Sequence, residues 1–189
     1  MTKLIFGVLL WSATHFIPSA LSGFRQALIE RRGEQVYKGV FATLMVVAIY
    51  LMIAGWKAAG LQSWYLPHEW GRHAAALLML ASLVLFVAPY PPNNIKRWLR
   101  HPQLSGVMVW GVAHLLANGE ARSVVLFGGL TLWAILEVML INRRDGDWTR
   151  PPVAPRRYDL LVATIGIGAY VALIMAHRWL FGVSPLPGI

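Results

Sequence analysis

Three side chains in this sequence could do chemistry from inside an apolar run: His15, His114 and Glu137. An imidazole or a carboxylate at membrane depth costs free energy unless it is paired, so each is a candidate functional group. The two histidines share their surroundings. Each follows a tryptophan by four positions, in WSATH at 11–15 and in WGVAH at 110–114. Helical side chains lean toward the amino-terminal turn, so each imidazole is expected over the residues three and four before it. Those residues are Trp11 and Ser12 for His15, and Trp110 and Gly111 for His114. A small residue beside a flat aromatic surface leaves room for a planar group next to a ring nitrogen. Two neutral imidazoles on facing helices could then ligate one iron axially, with haem b held non-covalently. The plainer alternative is a hydrogen bond from each histidine to a neighbouring helix, and spacing by itself favours it.

Glu137 stands about one turn inside the end of its run, with Arg143 and Arg144 close behind. It could orient a ligating histidine or carry a proton. The reading its neighbours favour is a side chain that snorkels toward those arginines, or one held protonated. The other histidines are less telling. His68 and His73 fall in or beside a loop, His101 begins a run, and His177 lies in the last turns of the final run. The absence of cysteine removes disulfides, thiolate zinc sites, iron–sulfur clusters and covalent haem attachment together. Any metal centre must use histidine, carboxylate or methionine.

The elements that must position these groups are apolar helices. The chain has 189 residues, 57% of them hydrophobic and only 13% charged, with a mean hydropathy of +0.55. Six apolar runs stand out, over 4–21, 39–56, 72–90, 104–118, 123–141 and 159–181. Most approach the roughly 20 residues of a spanning helix, and the fourth is short. The expected fold is all-α: one integral membrane domain over 1–189, a polytopic bundle of about six transmembrane helices. The first run is expected to stay in the mature chain, because Gly23-Phe24-Arg25 leads straight into a charged loop rather than a small-residue cleavage site. Pro18 should bend that helix.

A net charge of +9 invites a nucleic-acid reading, which the positions of the cations answer. Arg25, Arg31, Arg32 and Lys38 share one loop, Lys96, Arg97 and Arg100 another, and Arg143, Arg144, Arg150, Arg156 and Arg157 a third. Lys3, Lys57, Arg72, Arg122 and Arg178 are left for the opposite side. Such asymmetry over alternating loops is the positive-inside pattern, which places those three loops in the cytoplasm and both termini in the periplasm. The expected partner is the lipid bilayer, not nucleic acid. Trp64, Tyr65, Trp70 and Trp179 suit the aromatic belt at the outer interface. Gly128 and Gly129, and Gly166 and Gly168, are expected on helix contact faces. The Pro-rich turn at 88–98 and the charged stretch at 142–157 read as the least ordered segments.

The segment RHPQLSGVMVWGVAHLLANG at 100–119 and the segment at 15–42 carry a family resemblance. Both are similar to the NnrU family of bacterial membrane proteins and to its relative, the plant ζ-carotene isomerase. The second segment places His15, Arg25, Gly33-Glu34 and Tyr37 at the family's spacing, and length and helix layout agree over nearly the whole chain. The resemblance implies haem b with His15 and His114 as ligands, and a place beside a nitrite or nitric-oxide reductase system in denitrification. It also implies an isomerase-like activity on a small hydrophobic ligand, or capture of a diatomic one. The isomerase carries a cysteine three residues before its second histidine, where this chain has Gly111. That departure weighs against a ligand-switching isomerase and toward gas binding or sensing.

Arg100-His101-Pro102 supports a runner-up, since isoprenylcysteine methyltransferases carry a similar Arg-His-Pro with a glycine and a tryptophan beyond it. Arg100, His101 and Gly106 would then line a pocket for S-adenosylmethionine. Against it, the stretch after the fifth run offers only Asp145 and Asp147 in a basic loop. A cofactor-free membrane assembly factor is the third reading, with both histidines as packing residues.

Overall fold

A computed structural model describes residues 1–186. Among the described residues the chain is all-α, 76% helical, with no strand. In chain order the helices are α1 (Thr2–Ala20), α2 (Ser22–Arg32), α3 (Glu34–Ala58), α4 (Gly71–Val87), α5 (Pro102–Ala117), α6 (Ala121–Asp145) and α7 (Arg156–Phe181). All six expected runs are helical. By length and apolarity, α3, α6 and α7 suffice to cross a membrane, and α1 with α2 makes a fourth if the bent pair is taken together. At 17 and 16 residues, α4 and α5 fall short of a full span.

The stretch after the first run, expected as a charged loop, is the helix α2, turned 90° from α1. Leu21 breaks the path with φ −121° and ψ 44°, just beyond the Pro18 that lacks an N–H to continue the ladder. Beyond the break, Gln26 to Arg32 are good helix formers. Gly33 ends α2 at φ 86°, a backbone conformation that side chains with a Cβ resist, and its N–H donates to the Ile29 carbonyl at 2.8 Å.

The helices group into two compact units. The first comprises Met1–Trp64 and Glu120–Gly146, hence α1, α2, α3 and α6. Its core is Leu4, Val8 and Met52, flanked by Trp11, Trp56, Val125, Leu126 and Leu130. A π-helical turn over Val124–Gly128 interrupts α6 near its start. Beyond it Gly129, Trp133 and Glu137, four residues apart, form one stripe that runs along α1. Gly129 faces Val8, where a Cβ would come within 2.8 Å of a methyl. Trp133 meets Trp11, and Glu137 meets Ser19.

The second unit comprises Tyr65–Gly119 and Asp147–Ile189, hence α4, α5 and α7. Ser82 Oγ donates to the Gly106 carbonyl at 2.8 Å and ties α4 to α5. Gly166 of α7 packs on Val84 of α4, where an added Cβ would lie 2.8 Å from the Val84 Cα. The expected contact glycines therefore divide, one from each pair: Gly129 and Gly166 sit in interfaces, whereas Gly168 faces open space and Gly128 meets only its own Val124.

The two segments that read as least ordered are bonded to one another. Asp159 accepts from the Asn94 backbone N–H at 2.7 Å and from its side-chain amide at 2.6 Å. The same amide pairs with the Ala154 backbone in both directions, at 2.9 and 3.0 Å. Asn93, 2% exposed, donates to the Ala88 and Pro91 carbonyls. Asparagine amides supply the donors and acceptors that irregular backbone loses when helices end.

Candidate functional site

His15 lies five residues before the end of α1, in the first unit. Its ring stands over Trp11 with centroids 4.4 Å apart, as the helical lean dictates. Its Nδ1 is 2.9 Å from the Trp11 carbonyl oxygen. A carbonyl can only accept, so in the neutral ring Nδ1 carries the proton and Nε2 keeps the lone pair. Two further rings enclose it: Trp133 of α6 at 4.9 Å and Phe41 of α3 at 5.5 Å, both edge-on. Trp133 is itself 6% exposed and meets Trp11 in a T-shaped contact at 5.6 Å. His15 is thus walled by aromatic side chains from three helices.

His114 repeats the local geometry in the second unit. Its Nδ1 is 2.9 Å from the Trp110 carbonyl oxygen, and its ring is 5.1 Å from that of Trp110. It occupies the last turn of α5, nearer a helix end than its position within an apolar run suggests. That turn exposes carbonyls with no helical partner, and side chains satisfy them. Asn118 Nδ2 donates to the His114 carbonyl at 2.8 Å. The Tyr65 hydroxyl shares its one proton between the Leu115 carbonyl and, at 2.8 Å, that of Asn118. Tyr65, expected as an interface aromatic, therefore also holds the turn that carries His114. Gly111 is buried on the same helix. His177 shares the unit; its Nδ1 bonds the Val183 carbonyl at 2.9 Å.

Glu137 does not reach for the arginines. It is 6% exposed, and its Oε2 accepts from Ser19 Oγ of α1 at 3.1 Å. Arg144 instead donates to the Pro18 carbonyl at 2.8 Å and pairs with Asp145 at 2.7 Å. Length explains the difference: an arginine farther along α6 can reach the carbonyl near the end of α1, leaving the carboxylate to the nearer hydroxyl.

The bend at Leu21 and the turn at Gly33 return α2 toward the start of α3. Arg25 thereby comes to lie over the Tyr37 ring, 5.2 Å from its centroid. Tyr37 precedes Phe41 on α3 with rings 6.2 Å apart, and Phe41 touches His15. Arg25, Gly33, Tyr37 and His15, scattered over 23 residues of sequence, form one continuous structure.

Among the described residues no three His, Asp or Glu side chains converge on a metal. Each imidazole, within its own unit, is the kind of neutral nitrogen donor that a porphyrin iron takes in an apolar surround. An imidazole whose Nδ1–H is bonded to a backbone carbonyl is oriented to offer Nε2. The methyltransferase reading fares worse. Gly106 is buried against α4, its would-be Cβ 3.2 Å from the Ser82 carbonyl oxygen. Sequence patterns mark Trp11, Trp110 and both histidines but not Trp133, Phe41 or Ser19, whose importance comes only from the helix each one faces.

The family described as NnrU protein matches residues 3–185. The chain is also similar to a 15-cis-zeta-carotene isomerase of the chloroplast from Zea mays, 26% identical over 136 residues. That alignment covers 60% of this chain and 37% of the isomerase, so the chain spans little more than a third of that relative's length. No solved structure gives a significant match.

Proposed function

This chain belongs to the NnrU family, and from that membership we propose that it is a haem b protein of the bacterial inner membrane with His15 and His114 as axial ligands. The observation that carries the reading is the twin geometry of the two imidazoles. Each directs Nδ1–H at the carbonyl four residues earlier, leaving Nε2 as the basic nitrogen. That bond fixes ring orientation and raises ligand basicity. Trp11, Phe41 and Trp133 pack around the half-buried His15, and Trp110 covers one side of His114. When bound, a haem would supply an iron able to exchange one electron and, on release of one of the two histidines, to take a diatomic gas. Gly111 brings no ligand of its own, which favours gas binding or sensing in nitrite and nitric-oxide metabolism over a ligand-switching isomerase.

An isomerase-like reaction is the second reading, favoured by an apolar groove of about 500 Å³ in the second unit. Leu83, Phe86, Val87, Leu161 and Ile165 line it with almost no polar surface, as a long hydrocarbon requires.

An absorption spectrum of the purified full chain tests the haem reading. A Soret band with reduced-state bands of a six-coordinate haem is expected, and His15→Ala and His114→Ala should each convert it to a five-coordinate spectrum or abolish it. Colourless protein from haem-replete cells would sink the idea.

A further inference from the structure

The Tyr37 hydroxyl is buried and has no hydrogen-bond partner. A buried unsatisfied hydroxyl costs on the order of 1–3 kcal/mol, so one that persists points to a group that completes it. The Trp11 and Trp133 indole N–H groups are also buried without an acceptor, and the T-shaped contact of their rings can offer a π face to one of the two at most. No such local acceptor serves Tyr37, whose ring is covered by the Arg25 guanidinium. Among the described residues Arg25 makes no ion pair or side-chain hydrogen bond: Glu34 feels its charge only at longer range and pairs with Lys38 at 3.0 Å. A hydroxyl donor and a guanidinium thus stand together with no anion between them. They stand one phenylalanine away from His15, along the contacts Tyr37–Phe41 and Phe41–His15.

We infer that Arg25 and the Tyr37 hydroxyl form a carboxylate clamp that grips the propionate edge of the porphyrin whose iron meets His15. The inference rests on the haem reading above. It also gives the α2 turn a purpose, since the bend at Leu21 and the positive φ of Gly33 deliver Arg25 to the rim of the site. A guanidinium and a phenol are five-donor and one-donor partners for a carboxylate, and bonds to an ionised acceptor are the stronger kind.

The test titrates the haem-depleted full chain in nanodiscs with haem b and with its dimethyl ester, following the Soret band. Wild type is expected to bind haem b roughly tenfold or more tighter than the ester. Tyr37→Phe and Arg25→Gln should each weaken haem b while leaving the ester unchanged, so that the preference disappears. Equal binding of the two porphyrins by wild type would overturn the clamp while leaving haem binding intact, as would variants that weaken both porphyrins alike. Failure of wild type to bind either porphyrin would overturn both the clamp and the reading beneath it. Loss of retained phosphatidylglycerol in Arg25→Gln, with no change in the preference for haem b over the ester, would assign the pair to lipid phosphate and defeat the porphyrin assignment.

Discussion

Ser19 Oγ donates to Glu137 Oε2 across 3.1 Å, and through that bond the last turn of α1 holds a carboxylate of α6 that is 6% exposed. Ser19→Ala leaves this carboxylate buried without its donor, at an expected cost of about 1–3 kcal/mol. Glu137→Gln keeps an oxygen for the hydroxyl and should cost much less. Thermal unfolding in detergent distinguishes them, and equal losses would show that the bond does not hold the helices.

The imidazole geometry makes a prediction that needs no cofactor. Nitrogen-15 spectra of histidine-labelled, haem-free protein should show His15 and His114 as the tautomer protonated at Nδ1, since each faces a carbonyl at 2.9 Å. A signal from an Nε2–H tautomer at either site would contradict the arrangement.

The two glycines of α7 should respond oppositely to the same change. Gly166→Ala places a Cβ 2.8 Å from the Val84 Cα and should cost about 1–3 kcal/mol through overpacking. Gly168→Ala enters open space and should gain up to about 1 kcal/mol of helix propensity. Unfolding midpoints of the two variants, measured side by side, check the sign.

Tyr65→Phe removes the hydroxyl that bonds the Leu115 and Asn118 carbonyls. The expected loss is about 1 kcal/mol, localised to the last turn of α5. Hydrogen exchange should quicken at residues 114–118, with the amides of α7 unchanged. Unchanged exchange in that turn would remove Tyr65 from the support of His114.

Asn94→Ala deletes the side-chain bonds to Asp159 and Ala154 and should destabilise the chain by roughly 2–3 kcal/mol. Asn94→Asp, which cannot donate to Asp159 and sets a second carboxylate beside it, should be at least as damaging. Limited proteolysis between residues 142 and 157 reports the release of that segment.

The legible part of this protein is whatever one helix encodes alone. Tryptophan four residues before histidine foretells the stacked rings of Trp11 with His15 and Trp110 with His114, because the lean of a helical side chain is local. Apolar runs likewise locate the helices. Contacts between helices are not legible. Trp133 lies 118 positions from His15 in the chain, and nothing in its own run distinguishes it from a lipid-facing aromatic. Nor does charge reveal where Glu137 turns: the arginines lie within a helical turn or two, yet the hydroxyl that binds it comes from another helix. The α2 segment reads as a loop because exposed basic residues mark loops and interfacial helices alike. Only the angle at Leu21 separates the two.

The π turn at Val124–Gly128 has one more result. Such a turn houses one residue beyond the α-helical complement, and α6 rotates by about 100° per residue. Excising a single amino acid there would let the turn close as ordinary α-helix, with Trp133 and Glu137 kept against α1 and every residue of α1 and α3 around His15 in place. The aromatic enclosure is therefore insulated from the chain upstream of it: the turn takes up a one-residue change of length, and a one-codon deletion in that stretch should leave the wall standing.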